Sequence, residues 1–337
     1  MIIRARAPLR IGFGGGGTDV PPYCHEHGGV VLNATINRYA CATLIPKGNS
    51  FVMHSMDYDA SVSYGIDEPF VFDGQLDLGK HVLDYFRREH GLKEGLEIYL
   101  HNDAPPGSGL GSSSAITVAL IGAILEHLRL PVDAYQIAAL AYRIEREDMG
   151  IHGGKQDQYT AAFGGFNFME FHPEFTVVNA LRLRNAILCE LEYSLVFAYV
   201  GGQRFSAHLI EKQVANYTSG EGNTLELLNQ LKALAYEMKR ALLLGKLVEF
   251  GDLLNHSWIT KQQVAEGISN PRIDEIYEQA RKAGALGGKV TGAGGGGFMF
   301  FICDPVRRFA VQETLQKLDA QLVNFSFVEE GMSSWTL

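Results

Sequence analysis

The stretch P-P-G-S-G-L-G-S-S-S-A at residues 105–115 is the key to this chain. Three glycines alternate with Ser108 and Leu110, three serines follow, and the apolar run A-I-T-V-A-L-I at 115–121 comes directly after. A run that apolar is a buried helix. Glycines immediately before it let the backbone take positive φ and come close to a ligand. The first helical turn offers N–H groups with no intrahelical partner, at the positive end of the macrodipole. The stretch therefore reads as a loop for a polyphosphate, with serine hydroxyls as further donors and as a metal ligand. A Gly-Ser linker is the plain alternative, but a linker does not ordinarily feed straight into a core helix. No lysine stands where a Walker A loop requires one. A near match, G-Q-L-D-L-G-K at 74–80, is followed by His81 rather than Ser or Thr, and reads as a turn entering a helix over 78–89.

Upstream of the loop, residues 2–13 read as a strand that runs into G-G-G-G-T-D at 14–19. Four glycines inside a strand need a reason: a flexible turn, or a backbone lying against a ligand with Asp19 as its fixed acceptor. Residues 30–46, 51–64 and 96–101 read as strands, the last delivering the chain to the glycine loop. Downstream, 132–148 reads as a helix opened by an Asp133/Gln136 capping box. Its end, Glu145-Arg146-Glu147-Asp148, reads on its own as solvated. In G-I-H-G-G-K-Q-D-Q-Y at 150–159, Lys155 stands two positions before Asp157, which reads as a polar turn with a local ion pair. Strands are expected over 166–171, 188–200, 289–291, 298–303 and 323–328. Helices are expected over 205–261 and 271–283.

The chain has 337 residues, which suggests two domains, and its 46% hydrophobic and 20% charged content suits a globular protein. A net charge of −9 argues against nucleic acid as a partner. Cys24, Cys41, Cys189 and Cys303 form no C-x-x-C pair and fit reduced thiols. The N-terminal M-I-I-R-A-R-A-P-L-R lacks the apolar core of a signal peptide, and no apolar run is long enough for a membrane span. The expectation is a cytoplasmic protein with no membrane partner, and a homodimer is compatible with it.

Three glycine-rich stretches thus stand in order: A-P-L-R-I-G-F-G-G-G-G-T-D at 7–19, the loop at 105–115, and G-G-K-V-T-G-A-G-G-G-G at 287–297. In this the chain resembles the GHMP kinase superfamily over its whole length. The resemblance implies a two-domain α+β fold. A ribosomal-protein-S5-like α/β domain would bind ATP over 1–185, and a ferredoxin-like domain would span 186–337, with the site between them. It also implies ATP, Mg²⁺ and a sugar or sugar phosphate as ligands. By the family's motifs, Asp157 and Arg10 would be catalytic, with Lys155 assisting. Asp157 would take the proton of the attacking hydroxyl or orient it, and Arg10 would pair with Asp157 and stabilise the transferring phosphoryl group. Ser113 and Glu145 would hold the metal. Glu145 stands twelve residues before Asp157, the family's spacing, which overrides the solvated reading of Glu145. Pro106, Gly107, Ser108, Gly109, Leu110, Gly111, Ser112, Ser113 and Ser114, with Gly292, Gly294 and Gly295, would hold the nucleotide. Gly15, Gly16, Gly17, Thr18 and Asp19 would face the sugar.

One departure bears on the acceptor. Where galactokinases carry Glu-His, this chain has Gly16-Gly17, and the form R-I-G-F-G-G-G-G-T-D resembles the heptose 7-phosphate kinases of the superfamily. A carboxylate there would repel a substrate phosphate by ~1–4 kcal/mol; glycines remove the charge and make room. The resemblance implies phosphorylation of the anomeric oxygen of D-glycero-D-manno-heptose 7-phosphate. Another sugar 1-kinase (fucose, galactose, N-acetylhexosamine) and a non-catalytic sugar or nucleotide sensor are the alternatives.

Overall fold

The fold was obtained as a computed structural model that describes residues 1–202, 206–220 and 222–337. In β1 (Ile3–Gly14) the opening I-R-A-R alternates, so Arg4 and Arg6 point outward while Ile3 and Ala5 are buried; from Ala7 the strand is buried on both faces. It reaches α1 (Tyr23–His27) and the long β2 (Gly29–Pro46). The expected strand over 51–64 is a hairpin instead: β3 (Ser50–Ser55) and β4 (Ala60–Gly65) pair antiparallel across a turn in which Asp59 takes φ 47°. The helix α2 (Asp77–His90) and the strand β5 (Leu96–Asn102) then lead to the glycine loop.

Beyond the loop, α3 (Ser112–Leu128) buries twelve of its residues and lies across β1 and β2. α4 (Ala134–Tyr142) begins with the expected Asp133/Gln136 capping box and ends in one turn of π-helix, Arg143–Asp148. The polar stretch around Asp157 is no mere turn: Gln156–Phe163 forms α5. A hairpin follows, β6 (Phe166–Phe171) with β7 (Thr176–Ala180). The strand expected over 188–200 is half helix. In α6 (Asn185–Ser194) Ile187, Leu191 and Ser194 are buried at helical spacing, and only β8 (Leu195–Gly201) is extended.

The helical stretch expected over 205–261 is three helices, α7 (Ser206–Ser219), α8 (Thr224–Leu244) and α9 (Leu247–Gln262), the last two separated by Gly245 at φ 72°. Phe205, where that stretch was expected to begin, lies outside the described residues. α10 (Pro271–Ala283) is capped by Asn270. The hairpin β9 (Ala285–Val290) and β10 (Gly297–Cys303) carries the third glycine stretch, and α11 (Arg308–Lys317) follows. The last strand expected, 323–328, is not one. Strand structure falls at β11 (Gln321–Leu322) and β12 (Ser333–Thr336), with a lone bridge from Ile36 to Phe327 between them.

Two sheets result. The larger has the order β12-β1-β2-β5-β3-β4, with β6 added to β2 and β7 to β6; the smaller has the order β11-β8-β10-β9. All pairings are antiparallel except β3 with β5. Phe13 at the end of β1 meets Phe300 of the small sheet edge-on at 5.5 Å, Phe250 of α9 at 5.6 Å and Phe166 of β6 at 6.2 Å. This aromatic cluster joins the two sheets at Phe13, immediately before the glycines of the first stretch. All four cysteines are free, as expected.

Candidate active site

The glycine loop is clamped from both sides. Arg10 N of β1 donates to Leu110 O at 3.1 Å, and Phe298 N of β10 donates to Ser108 O at 3.3 Å. Gly111, at φ 73°, turns the chain into α3, and a Cβ there would lie 3.2 Å from Asp157 Cγ. Only glycine lets the loop close this far onto the carboxylate. Ser108 is 1% exposed, and its Oγ has no hydrogen-bond partner. An unsatisfied hydroxyl in such a loop suits an anion. The backbone of Gly292 lies against Gly109, whereas Gly294 and Gly295 rest on Ile268, with Gly295 N donating to Ile268 O at 2.8 Å. The third stretch thus meets the 105–115 loop at Gly292, swings out to Ile268 at Gly294 and Gly295, and returns to Ser108 at Gly297.

Arg10, 4% exposed, reaches Asp157 Oδ1 with Nε at 2.8 Å and Nη2 at 2.7 Å, and its Nη1 donates to Gly109 O. One guanidinium therefore ties β1, the glycine loop and the first turn of α5 together. Oδ2 of Asp157 takes no hydrogen bond among the described residues, so it is open to an incoming hydroxyl. Lys155 does not join this pair. Its ammonium sits 3.5 Å from His172 O and 5.5 Å above the Tyr142 ring. The expected local Lys155–Asp157 ion pair is replaced by Arg10–Asp157.

Glu145 is 1% exposed, not solvated. The π turn carries it inward beneath α3. Oε1 accepts from Thr117 Oγ1 at 2.6 Å; Oε2 accepts from Ser114 Oγ at 2.8 Å and Gln158 Nε2 at 2.7 Å, with Arg146 Nη2 at 3.3 Å. The hydroxyls that meet Glu145 are those of Ser114 and Thr117, while Ser113 is exposed on the first turn of α3. Hydroxyl and carboxylate oxygens are the hard donors that Mg²⁺ takes, so Ser113 and Glu145 fit the ion by donor chemistry. Binding at Glu145 would exchange one of its present donors for the metal.

The loop after β1 divides its residues between support and surface. Thr18 is fully buried: its hydroxyl shares its one proton between Gly15 O and Val30 O and accepts from Val30 N, so it pins the loop and presents no side-chain surface to a sugar. This corrects the expectation of Thr18 as a substrate ligand. Asp19, 1% exposed, accepts from Gly17 N and Gln156 N, both at 3.1 Å; burial raises its pKa above the usual carboxylate value. Gly16 is open, with only the Gln156 amide near it. Gly17, at φ 101°, faces α7 and α9: a Cβ there would fall 2.5 Å from Lys261 Nζ.

That contact reveals residues the sequence reading passed over. Lys261 on α9 and Lys289 on β9 are each 6% exposed. Lys261 Nζ donates to Gln213 Oε1 at 2.9 Å, and Gln213 Nε2 donates to Gly17 O at 2.8 Å. Burial pushes Lys261 down to about 8; burial, then the Lys261 and Arg10 charges, push Lys289 to about 7. A lysine inside the otherwise apolar and glycine-rich G-G-K-V-T was the available signal, since buried lysines are rare without a reason. Lys80 of the Walker-like decoy is also buried, but its ammonium is taken by Asp73, Asp77 and Val71 O within its own segment.

The sequence matches the family described as "GHMP kinases N terminal domain" over residues 77–165 and "GHMP kinases C terminal" over residues 238–320. It is 40% identical over 338 residues to D-glycero-alpha-D-manno-heptose 7-phosphate kinase of Campylobacter jejuni, covering 99% of both chains. The crystal structure of a D-glycero-D-manno-heptose 1-phosphate kinase from Bacteriodes thetaiotaomicron superposes with a TM-score of 0.84 at 36% identity, again over 99% of both chains. Lactococcus lactis galactokinase complexed with galactose aligns with a TM-score of 0.76 over 100% of this chain and 95% of its own, at 21% identity, a likeness of fold alone. With a clamped glycine loop, an arginine–aspartate pair at its mouth and relatives that match end to end, the chain belongs to the GHMP kinases.

Proposed function

We propose that this protein transfers the γ-phosphoryl group of ATP to the anomeric oxygen of D-glycero-D-manno-heptose 7-phosphate, giving the 1,7-bisphosphate. The observation that carries the reading is the Arg10–Asp157 pair against the glycine loop, in a chain so similar along its length to a kinase of that sugar phosphate. The anomeric oxygen attacks the γ-phosphorus in line, the bond to the β–γ bridging oxygen breaks, and ADP leaves. Asp157 Oδ2 orients the hydroxyl and receives its proton. Arg10 holds Asp157 in place and meets the charge that spreads over the transferring group. Residues 106–114 cradle the phosphates, with Ser108 Oγ as an unused donor, and Gly292 backs the loop from the small sheet; Gly294 and Gly295 shape its turn. Asp19 and the Gly15–Gly17 backbone line the sugar side. Ser113 and Glu145 would hold Mg²⁺, which when bound neutralises phosphate charge.

Among the described residues no helix is long and apolar enough to cross a membrane, which is compatible with a cytoplasmic enzyme. The same reading divides the chain near residue 185, with β12 returning from the second part to pair with β1.

The test is ADP release by the unmodified protein with heptose 7-phosphate, galactose, fucose and N-acetylhexosamines. The reading expects kcat/KM highest for heptose 7-phosphate. A free hexose as the best substrate would overturn the acceptor and leave the kinase; no ADP release with any sugar would favour a sensor.

A further inference from the structure

We propose that Lys261 and Lys289, braced by Gln213, form the seat for the phosphate already present on the acceptor, on the Gly17 side of the crevice. This rests on the reading of the acceptor as a sugar phosphate. It goes beyond that reading by assigning residues to the distal phosphate.

Three cations enter the crevice from three elements: Arg10 from β1, Lys261 from α9 and Lys289 from β9. Arg10 is paired with Asp157 at the mouth of the glycine loop. Asp19, the other acid nearby, accepts from two backbone amides and forms no ion pair with either lysine among the described residues. Lys261 has one neutral partner, Gln213 Oε1. No hydrogen bond or ion pair reaches the Lys289 ammonium among the described residues. Lys289 pairs across the hairpin with Phe300, whose ring packs on Phe13, so its side chain faces β1 and the crevice rather than the opposite face of the small sheet.

Two buried ammoniums that share one nearby carboxylate, Asp19, and form no ion pair with it among the described residues are costly, and they repel each other. Such an arrangement persists where a dianionic ligand completes it. Burial lowers the proton affinity of both lysines, and a bound phosphate dianion would raise it again. Gly17 belongs to the same device, because any side chain there would collide with Lys261 Nζ. Gln213 fixes Lys261 by gripping the Gly17 carbonyl with its other end. A neutral sugar gives these lysines nothing to bind.

The chemistry of the seat suits a phosphomonoester dianion, which could be that of the acceptor or the terminal phosphate of ATP. Steady-state kinetics separate the two. Lys261→Met and Lys289→Met keep bulk and remove charge; Lys289→Gln keeps a polar head should the apolar variant not fold. Each is assayed with heptose 7-phosphate, with the same heptose lacking the phosphate, and with ATP as the varied substrate. The expected result is a ~30-fold fall in kcat/KM for the 7-phosphate, a much smaller fall for the unphosphorylated heptose, and a KM for ATP within ~2-fold of the parent. In melts without ATP, heptose 7-phosphate should raise the Tm of the parent and not that of the variants. Equal losses on both sugars, or a rise confined to the KM for ATP, would overturn the seat. An unmodified enzyme indifferent to the 7-phosphate would overturn both the acceptor reading and the seat. One that prefers the 7-phosphate, with that preference intact in the variants, would overturn the seat alone.

Discussion

Arg10 spends two nitrogens on one oxygen of Asp157 and a third on the glycine loop, so neither partner can be replaced without misplacing the other. Arg10→Ala and Asp157→Asn should each lower kcat by ~10²-fold or more, measured at saturating ATP and sugar. Near-normal turnover in either would show that the chemistry lies elsewhere. Both residues were legible in the sequence, because the arginine and the aspartate sit at fixed places in motifs. The lysines were legible only in part: Lys289 stands in the apolar, glycine-rich G-G-K-V-T, whereas nothing local marks Lys261 on α9 as buried. Lys289 faces Lys261 from α9, Arg10 from β1 and Asp19 from the loop between β1 and α1, and it lies at about 7 against an ordinary 10.5. In the unfolded chain both lysines stay protonated to the higher value. From about pH 7 to about pH 10 the unfolded state therefore binds more protons, and the free enzyme gains stability as pH rises. Over the same rise the crevice loses positive charge, while a sugar phosphate, with its second pKa near ~6, is already a dianion. The KM for heptose 7-phosphate should thus climb between pH 7 and 9 while that for ATP changes little. Initial rates across that range check it, and a flat KM for the sugar phosphate would contradict it.

Glu145 shows how an element can outweigh its local sequence. R-I-E-R-E-D reads as a solvated helix end, yet the π turn swings Glu145 under α3, where Ser114, Thr117 and Gln158 all donate to it. Only the spacing to Asp157 hinted at this burial; the widened turn itself has no sequence signature here. Thr117→Val keeps shape and removes one donor to a buried carboxylate, so it should cost ~1–3 kcal/mol in denaturant unfolding. An unchanged midpoint would show that the network is slack. Ser113 faces outward from the same helical turn. Ser113→Ala and Glu145→Gln should raise the Mg²⁺ concentration needed for half-maximal rate more than they raise the KM for sugar. Unchanged magnesium dependence in both would remove them as ligands. Other elements were misread for the same kind of reason. A-I-L-C-E-L-E-Y at 186–193 is apolar enough for a strand, but its buried positions recur at helical spacing once it lies beside β8 and β10. The hairpin of β3 and β4 turns on M-D-Y-D, which carries no glycine or proline to announce it.

At the scale of the molecule, three glycine stretches far apart in the chain converge because the aromatic cluster around Phe13 locks the two sheets together. Their order and spacing made the fold readable, and the end-to-end match with GHMP kinases agrees with it. What composition and periodicity could not convey is how the halves interlock: β12 closes on β1 from the far end of the chain, and Gln213 of α7 and Lys261 of α9 meet the loop after β1 at Gly17. That overlap sets two buried lysines, Lys261 and Lys289, on the side of Gly17. The names of the two similar proteins differ on which phosphate the heptose carries, so the position of transfer is the sharpest question. Phosphorus NMR of the product formed from ATP and D-glycero-D-manno-heptose 7-phosphate answers it. The proposed chemistry predicts a second phosphomonoester signal coupled to the anomeric proton, with the 7-phosphate signal retained. A new signal coupled to any other carbon-bound proton, or no new sugar phosphate at all, would contradict it.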